Sequence, residues 1–474
     1  MKKFSVLIGL MIVVLAATAY AQPVEFKMSG FMDFVGAVFE NIPSSSGTYA
    51  AALGTEVDVN GEDADHSGSL ANSRARLKFQ ANAGKELSGT IFFEMDSATW
   101  GDANGTRNSM GYWNADRAAV EVKHAFFDVA VPYFGVPVPT TVRFGIQPFA
   151  IRDSWYLYAD GAGITVNSKI DPVNIKLMWA KPYEGKVYHS DDADMYAADV
   201  SGTIEGFTLG AHGAYWNINE YGLPTTVSAK GIPTNAQADM YWFGAYADGK
   251  YAGFNFNFDF IYDTGKINYL DGSETKLSGW IAALGVNFPW EMWDFGGGAW
   301  WATGSDLGQS GDDYDEDAYL QPPGSEPGPD AFMKYSSVYF GSGLFRGEYG
   351  YAANGSRDAI GNGIGGTWGA MAYAGLKVTP WYKVYLHAMY LGDTTNDGNT
   401  IGFAVKGDEL RDDNAIGMEF TLSNIFKVYN NLDFYVIGGY LVTADGMDQW
   451  NTTKAKNESI DDPWVIGTRL VYSF

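Results

Sequence analysis

The sequence predicts an all-β chain that closes as a transmembrane antiparallel β-barrel of about 18 strands, with about 16 to 20 possible. Three observations carry this. Long stretches alternate polar and apolar residues with period two, their connections alternate between short and long, and no apolar run after Ala17 is long enough for a membrane-spanning helix. One alternating stretch cannot tell a protein core from a lipid-facing wall, because both give the same pattern. The rest of the chain decides.

Lys2 and Lys3, the apolar stretch Phe4 to Ala17, and the small-x-small triplet Ala19-Tyr20-Ala21 read as a signal peptide spanning residues 1–21, cleaved after Ala21. The expected mature chain, 22–474, shows neither a Pro/Ser-rich linker nor a change of texture, so it is expected to form a single barrel with long outer loops. Cysteine is absent, so an exported chain must rely on hydrogen bonding and burial instead of disulfides. A formal charge of −25 argues against nucleic acid, which requires basic patches.

The first strand, near 24–39, sets Val24, Phe26, Met28, Gly30, Met32, Phe34, Gly36 and Val38 against Lys27, Ser29 and Asp33. In "NSRARLKFQANA", Asn72, Arg74, Arg76, Lys78, Gln80 and Asn82 oppose Ser73, Ala75, Leu77, Phe79, Ala81 and Ala83. Residues 252–262 place Phe254, Phe256, Phe258, Phe260 and Tyr262 on one face, and Asn255, Asn257 and Asp259 on the other. The same count predicts strands near 24–39, 70–83, 87–98, 117–131, 139–149, 163–170, 173–180, 193–204, 207–217, 238–248, 252–263, 277–288, 294–303, 366–378, 381–392, 413–424, 432–443 and 463–474. Most approach the roughly 9 to 11 residues a tilted transmembrane strand needs.

Short connections are expected at 84–86, 171–172, 205–206, 249–251, 289–293 and 379–380, and long ones between them. Short turns on one rim and long loops on the other are the pattern of an outer-membrane barrel. The longest loop, 304–365, contains "SSVYFGSGLF", which has room for an extra pair of strands or for a segment folded into the pore. Tyr133, Phe134, Trp290, Trp293, Trp381, Tyr382, Phe426 and Tyr429 lie beside the short turns as one aromatic girdle, and Trp100, Trp113, Trp155, Trp300 and Trp301 are expected in the other.

Three segments carry a family resemblance. "WVIGTRLVYSF" is an amphipathic final strand ending on Phe474, "KMSGFMDFVGAVFE" resembles a porin first strand, and "VRFGIQPF" looks like a segment common in porin fifth strands. The chain resembles the Gram-negative outer-membrane porin family. The resemblance implies an outer-membrane location, recognition of Phe474 by the barrel-assembly machinery, passive diffusion of small polar solutes or ions, and a homotrimer. The acidic runs Asp58, Glu62, Asp63 and Asp65, Asp312 to Asp317, and Asp408, Glu409, Asp412 and Asp413 are expected as solvated loop charges, some bridged through divalent cations to lipopolysaccharide phosphates. The short connection at 150–162 departs from the long third loop of typical porins, which leaves 304–365 as the expected constriction.

The expected pore-lining residues are Arg74, Arg76, Lys78, Glu94, Asp96, Arg117, Glu121, Lys123, Arg143, Lys176, Asp259, Lys383 and Arg469, with Gln147, His212, Tyr385 and His387 beside them. Arg74, Arg76 and Lys78 should face Glu94 and Asp96 across the 84–86 turn, because opposed charges stabilise an antiparallel ladder. Fixed charges in a narrow aqueous passage orient and select solutes. Both signs occur, so the lumen declares no preference for anions or cations.

No Gly-x-Ser-x-Gly, no His-Glu-x-x-His and no EF-hand spacing occurs, so neither catalysis, a metal nor a cofactor is expected. The expected function is an outer-membrane diffusion channel. Rivals are a substrate-specific channel for a sugar or anion, and an adhesin or structural barrel with a closed lumen.

Overall fold

A computed structural model describes residues 23–42, 67–102, 109–111, 113, 118–131, 138–152, 155–185, 192–219, 236–308, 313–325, 336–341, 364–402, 404–407, 409–451 and 454–474. The expected signal peptide, Arg117, Tyr133, Phe134, Asp58, Glu62, Asp63, Asp65, Asp312 and Asp408 lie outside them.

Eighteen long strands form the wall. They are β1 (Val24–Glu40), β2 (Ser67–Ala83), β3 (Leu87–Trp100), β4 (Glu121–Ala130), β5 (Thr140–Ile151), β6 (Leu157–Ile170), β7 (Val173–Tyr183), β8 (Ala193–Ile204) and β9 (Phe207–Ile218). The second half comprises β10 (Ala236–Tyr251), β11 (Phe254–Tyr269), β12 (Trp280–Trp290), β13 (Trp293–Ala302), β14 (Thr367–Thr379), β15 (Tyr382–Asp393), β16 (Ala415–Tyr429), β17 (Leu432–Thr443) and β18 (Trp464–Ser473). Each pairs antiparallel with its sequence neighbours, and β1 pairs with β18 to close the circle. Every predicted strand is present.

The seam is continuous from Phe31 opposite Ser473 to Glu40 opposite Trp464. Gly30 and Phe474 extend it, each N–H donating to the other's carbonyl at 2.8 and 3.0 Å. Asp33, buried on β1, accepts from the Arg469 guanidinium of β18 at 2.7 to 3.1 Å, so an ion pair crosses the join.

Turn chemistry explains one rim. Glu205-Gly206 and Ala252-Gly253 both adopt positive φ (51° and 87°, 49° and 89°), the conformation of two-residue hairpins whose twist matches the strands. Strand β6 starts at Leu157, earlier than the predicted 163, so Asp160 and Gly161, expected in the 150–162 connection, lie in the ladder. A side chain at Gly163 would meet the Trp179 carbonyl and Ala180, so glycine here marks close strand approach.

Side-chain direction follows from what reaches across. Arg152, just past β5, contacts Asp248 on β10 and Asp259 on β11, which are not neighbours of β5 in the wall. Such contacts must cross the lumen, so Asp259 faces inward. By alternation Phe254, Phe258, Phe260 and Tyr262 face outward, and all four are exposed, as are Phe26, Met28 and Met32 of β1. The outer circumference is thus the lipid-facing surface. Trp290, Trp293, Trp381 and Tyr429 are exposed beside the short turns, and Trp100 and Trp301 near the other rim. Trp155 and Trp300 are not part of the outer girdle. Both are buried, with ring centroids 6.5 Å apart, because each faces the lumen and packs there against inserted chain.

The seam generates a prediction. Asp33→Ala leaves the Arg469 cation without its carboxylate and should cost about 3 kcal/mol. The folded, fast-migrating gel band of the detergent-solubilised barrel should convert to the unfolded band at a lower temperature, with Asp33→Asn falling in between.

Candidate functional site

The inner surface divides into a charged wall and a packed wall. On β2 to β6 the charged side chains form one network. Arg74 donates to Asp96 at 2.5 and 2.8 Å and lies 3.6 Å from Glu94, while Arg76 donates to the same Glu94 carboxylate. Lys123 lies 3.1 Å from Glu94 and 2.6 Å from Asp160, which also meets His124 Nε2 at 2.8 Å. Three cations therefore converge on one nearly inaccessible carboxylate, Glu94.

Register builds most of this arrangement, and one irregularity completes it. The β2–β3 register that sets Arg76 opposite Glu94 carries on to bring Arg74 beside Asp96, and it slips only beyond that pair, before Ser73 opposite Ala98. A shift at Phe92/Phe93 against β4 makes Lys123 the extra residue, so Lys123 and His124 both reach Asp160. Below the network, Arg143 pairs with Asp128 at 2.7 and 3.1 Å and covers the Phe126 ring at 3.9 Å.

The expected residues sort plainly. Arg74, Arg76, Glu94, Asp96, Lys123, Arg143, Asp259 and Arg469 take part in ion pairs on the inner face. Lys78 and Glu121 share the faces of Arg76 and Lys123, Lys383 is exposed at the short-turn end of β15, and Lys176 belongs to a separate cavity. Arg152, Asp160 and Asp248 were not singled out from the sequence. Arg152 sits at φ 45°, past the end of β5, where alternation no longer fixes direction.

The packed wall is built by described parts of the 304–365 segment. Of these, 318–325 and 336–341 pack against inward side chains of the wall, and "SSVYFG" is irregular chain with no strand among the described residues. Among its described residues, 313–316 forms a strand parallel to 274–277. Tyr319 Oη and Gln321 Nε2 donate to the Trp155 carbonyl at 2.6 and 3.0 Å, Trp242 Nε1 donates to the Leu320 carbonyl at 2.7 Å, and the Leu320 N–H donates to Asp263 at 3.1 Å. Trp155, Trp242, Tyr156, Tyr319 and Tyr339 are all fully buried.

The second insertion is seated on Glu419 of β16. Its buried carboxylate accepts from the N–H groups of Ser337, Val338 and Tyr339 at 2.8, 3.1 and 2.9 Å, and from the Ser336 and Thr421 hydroxyls at 2.9 and 2.8 Å. Successive backbone N–H groups facing one carboxylate form an anion nest. Hydrogen bonds to a charged acceptor contribute about 1.5 to 3 kcal/mol each, so Glu419 fixes the loop.

Glu419→Gln replaces one acceptor oxygen by an amide that points hydrogens at the same N–H groups. The variant should fold, yet be cut within 304–365 by protease at least tenfold faster than the parent, while the wall strands stay protected. Timed digestion read by mass spectrometry checks this.

No family model matches the chain, and a search of curated proteins returns no match. Solved structures do resemble it. OccAB4 of Acinetobacter baumannii is similar with a TM-score of 0.52 at 9% identity, covering 96% of this chain and 100% of that one. The outer membrane protein opdK of Pseudomonas aeruginosa gives 0.50 at 10% identity, covering 94% and 98%, and OpdQ of the same organism gives 0.50 at 9%, covering 95% and 98%. With 18 strands closed at the β1–β18 seam, an apolar outer belt and a loop inserted in the lumen, the chain has the fold of the Gram-negative outer-membrane porins.

Proposed function

We propose that this barrel is an outer-membrane channel through which small polar solutes or ions pass down their gradients. The observation that carries the reading is the continuous run of charged groups on one side of the lumen, from Asp33/Arg469 through Arg74, Arg76, Glu94 and Lys123 to Asp160. Buried apolar packing occupies much of the opposite wall, so the route follows the charged side. Hydrophilic groups are costly in a space that excludes water and are retained where water and solute pass.

The charges on this route are largely matched, cation by carboxylate. Selectivity between small anions and cations is therefore weak, and the fixed charges act by orienting a solute instead of rejecting one sign. A closed structural barrel is the second reading, favoured by the buried Trp155, Tyr156, Tyr319 and Tyr339 across the lumen. A homotrimer and recognition of Phe474 by the assembly machinery complete the proposal as expectations of the resemblance, and lipopolysaccharide contact through divalent ions and cleavage after Ala21 as expectations of the residues themselves.

Planar-bilayer recordings separate the readings. The purified barrel should give discrete conductance steps with a small reversal potential in a KCl gradient, and an absence of steps would favour the closed barrel. Glu94→Gln removes the carboxylate shared by three cations, so the reversal potential should move toward anion selectivity. That shift should be larger in 0.1 M than in 1 M salt, because screening shortens from about 10 Å to about 3 Å. No movement in either salt would place Glu94 off the route.

A further inference from the structure

Beneath the inserted aromatic packing lies a cavity of about 310 Å³ lined by Ala150, Ile151, Arg152, Lys176, Asp199 and Tyr246. Its strands place the groups with little freedom. Lys176 on β7 stands directly opposite Asp199 on β8, and Asp199 stands opposite His212 on β9. Tyr156 stacks on the His212 ring at 4.6 Å as part of the packing above. Gly244 leaves room for that ring, since a Cβ there would meet His212 Nε2 at 2.3 Å.

Two charges here are not matched as those of the Glu94 network are. Arg152 is already satisfied by Asp248 at 2.6 Å and by Asp259, and its guanidinium covers the Tyr246 ring at 4.4 Å. Lys176 and Asp199, by contrast, form no ion pair among the described residues, with each other or with a third group. Lys176 Nζ donates only to the Ala150 carbonyl at 3.2 Å, and Asp199 accepts from the Tyr246 hydroxyl at 3.1 and 3.3 Å. Both nitrogens of buried His212 also lack a hydrogen-bond partner among the described residues.

An ammonium and a carboxylate facing one cavity without meeting leave a dipolar space. A simple anion would gain Lys176 but meet Asp199 and the two carboxylates around Arg152. A simple cation would gain Asp199 but meet Lys176 and Arg152. A solute carrying both charges satisfies both sides at once, and charge-assisted hydrogen bonds to each end fix its direction. We propose that this cavity is a binding site for a small zwitterion of amino-acid size, its ammonium on Asp199 and its carboxylate on Lys176. The proposal rests on the channel reading, because the solute must enter the lumen to reach it.

Equilibrium dialysis of the detergent-solubilised full barrel with labelled glycine tests it, with acetate and methylammonium as single-charge competitors. Glycine should bind saturably, and each competitor should displace it only at concentrations at least tenfold higher than unlabelled glycine requires. Asp199→Asn and Lys176→Met should each weaken glycine binding at least tenfold, with the heat-modifiable gel shift showing that both variants remain folded. Absence of glycine binding, equal displacement by acetate or methylammonium, or unchanged affinity in both variants would overturn the site. The same preparation is placed in a bilayer in KCl. Pores without glycine binding defeat this site alone, whereas absence of pores defeats the channel reading beneath it.

Discussion

A sheet in hydrocarbon has no water to satisfy an unpaired edge, so the hydrogen bonds between β1 and β18 are the condition on which the remaining structure depends. Closing the ring fixes which side chains meet lipid and which meet the lumen, because alternation then applies to the whole circumference. It also fixes width. Eighteen strands enclose more space than wall side chains can fill. The described inserted chain, 318–325 and 336–341, supplies part of what the wall cannot, against the side of the lumen away from the charged network of β2 to β6.

The two halves of the interior obey different energetics. In the packed region, burying Trp155, Trp242 and Tyr319 contributes apolar area, and Trp242 Nε1 and Tyr319 Oη, taken in with them, donate to the Leu320 and Trp155 carbonyls. In the charged region, an isolated ion pair in water would add little, about 0 to 1 kcal/mol. The Glu94 cluster is different because its carboxylate is almost wholly enclosed by cations. Such a group cannot lose a partner cheaply, which makes the network rigid as well as charged.

The wall was legible from the residues because period two is a local property. The Phe254 row and the Arg74 row each declare their face within a dozen residues, and the β1–β18 join is implied by two amphipathic end strands. The Arg76–Glu94 contact was also legible, since a tight turn at 84–86 constrains register. What escaped the sequence depends on departures from regularity or on distance along the chain. Lys123 and His124 face the same way only because of a bulge, Arg152 turns inward only because its backbone enters the left-handed region, and Asp160 lies within the expected 150–162 connection. Glu419 reads as one more inward polar residue on β16. Nothing nearby announces that its ligands are backbone amides some 80 residues earlier. Trp155 and Trp300 were misassigned to the girdle for a related reason, because rim position alone does not distinguish a ring facing lipid from one facing inserted chain.

The described inserted chain is fastened to separate parts of the wall, on Trp155 and Asp263 through its first part and on Glu419 through its second. A thin-walled hoop yields most readily by becoming oval. A cross-member fastened to separate parts of that hoop acts as a strut, so squeezing by the surrounding bilayer is opposed by hydrogen bonds in tension and rings in compression. The aperture should therefore keep its shape when lipid composition or lateral pressure changes.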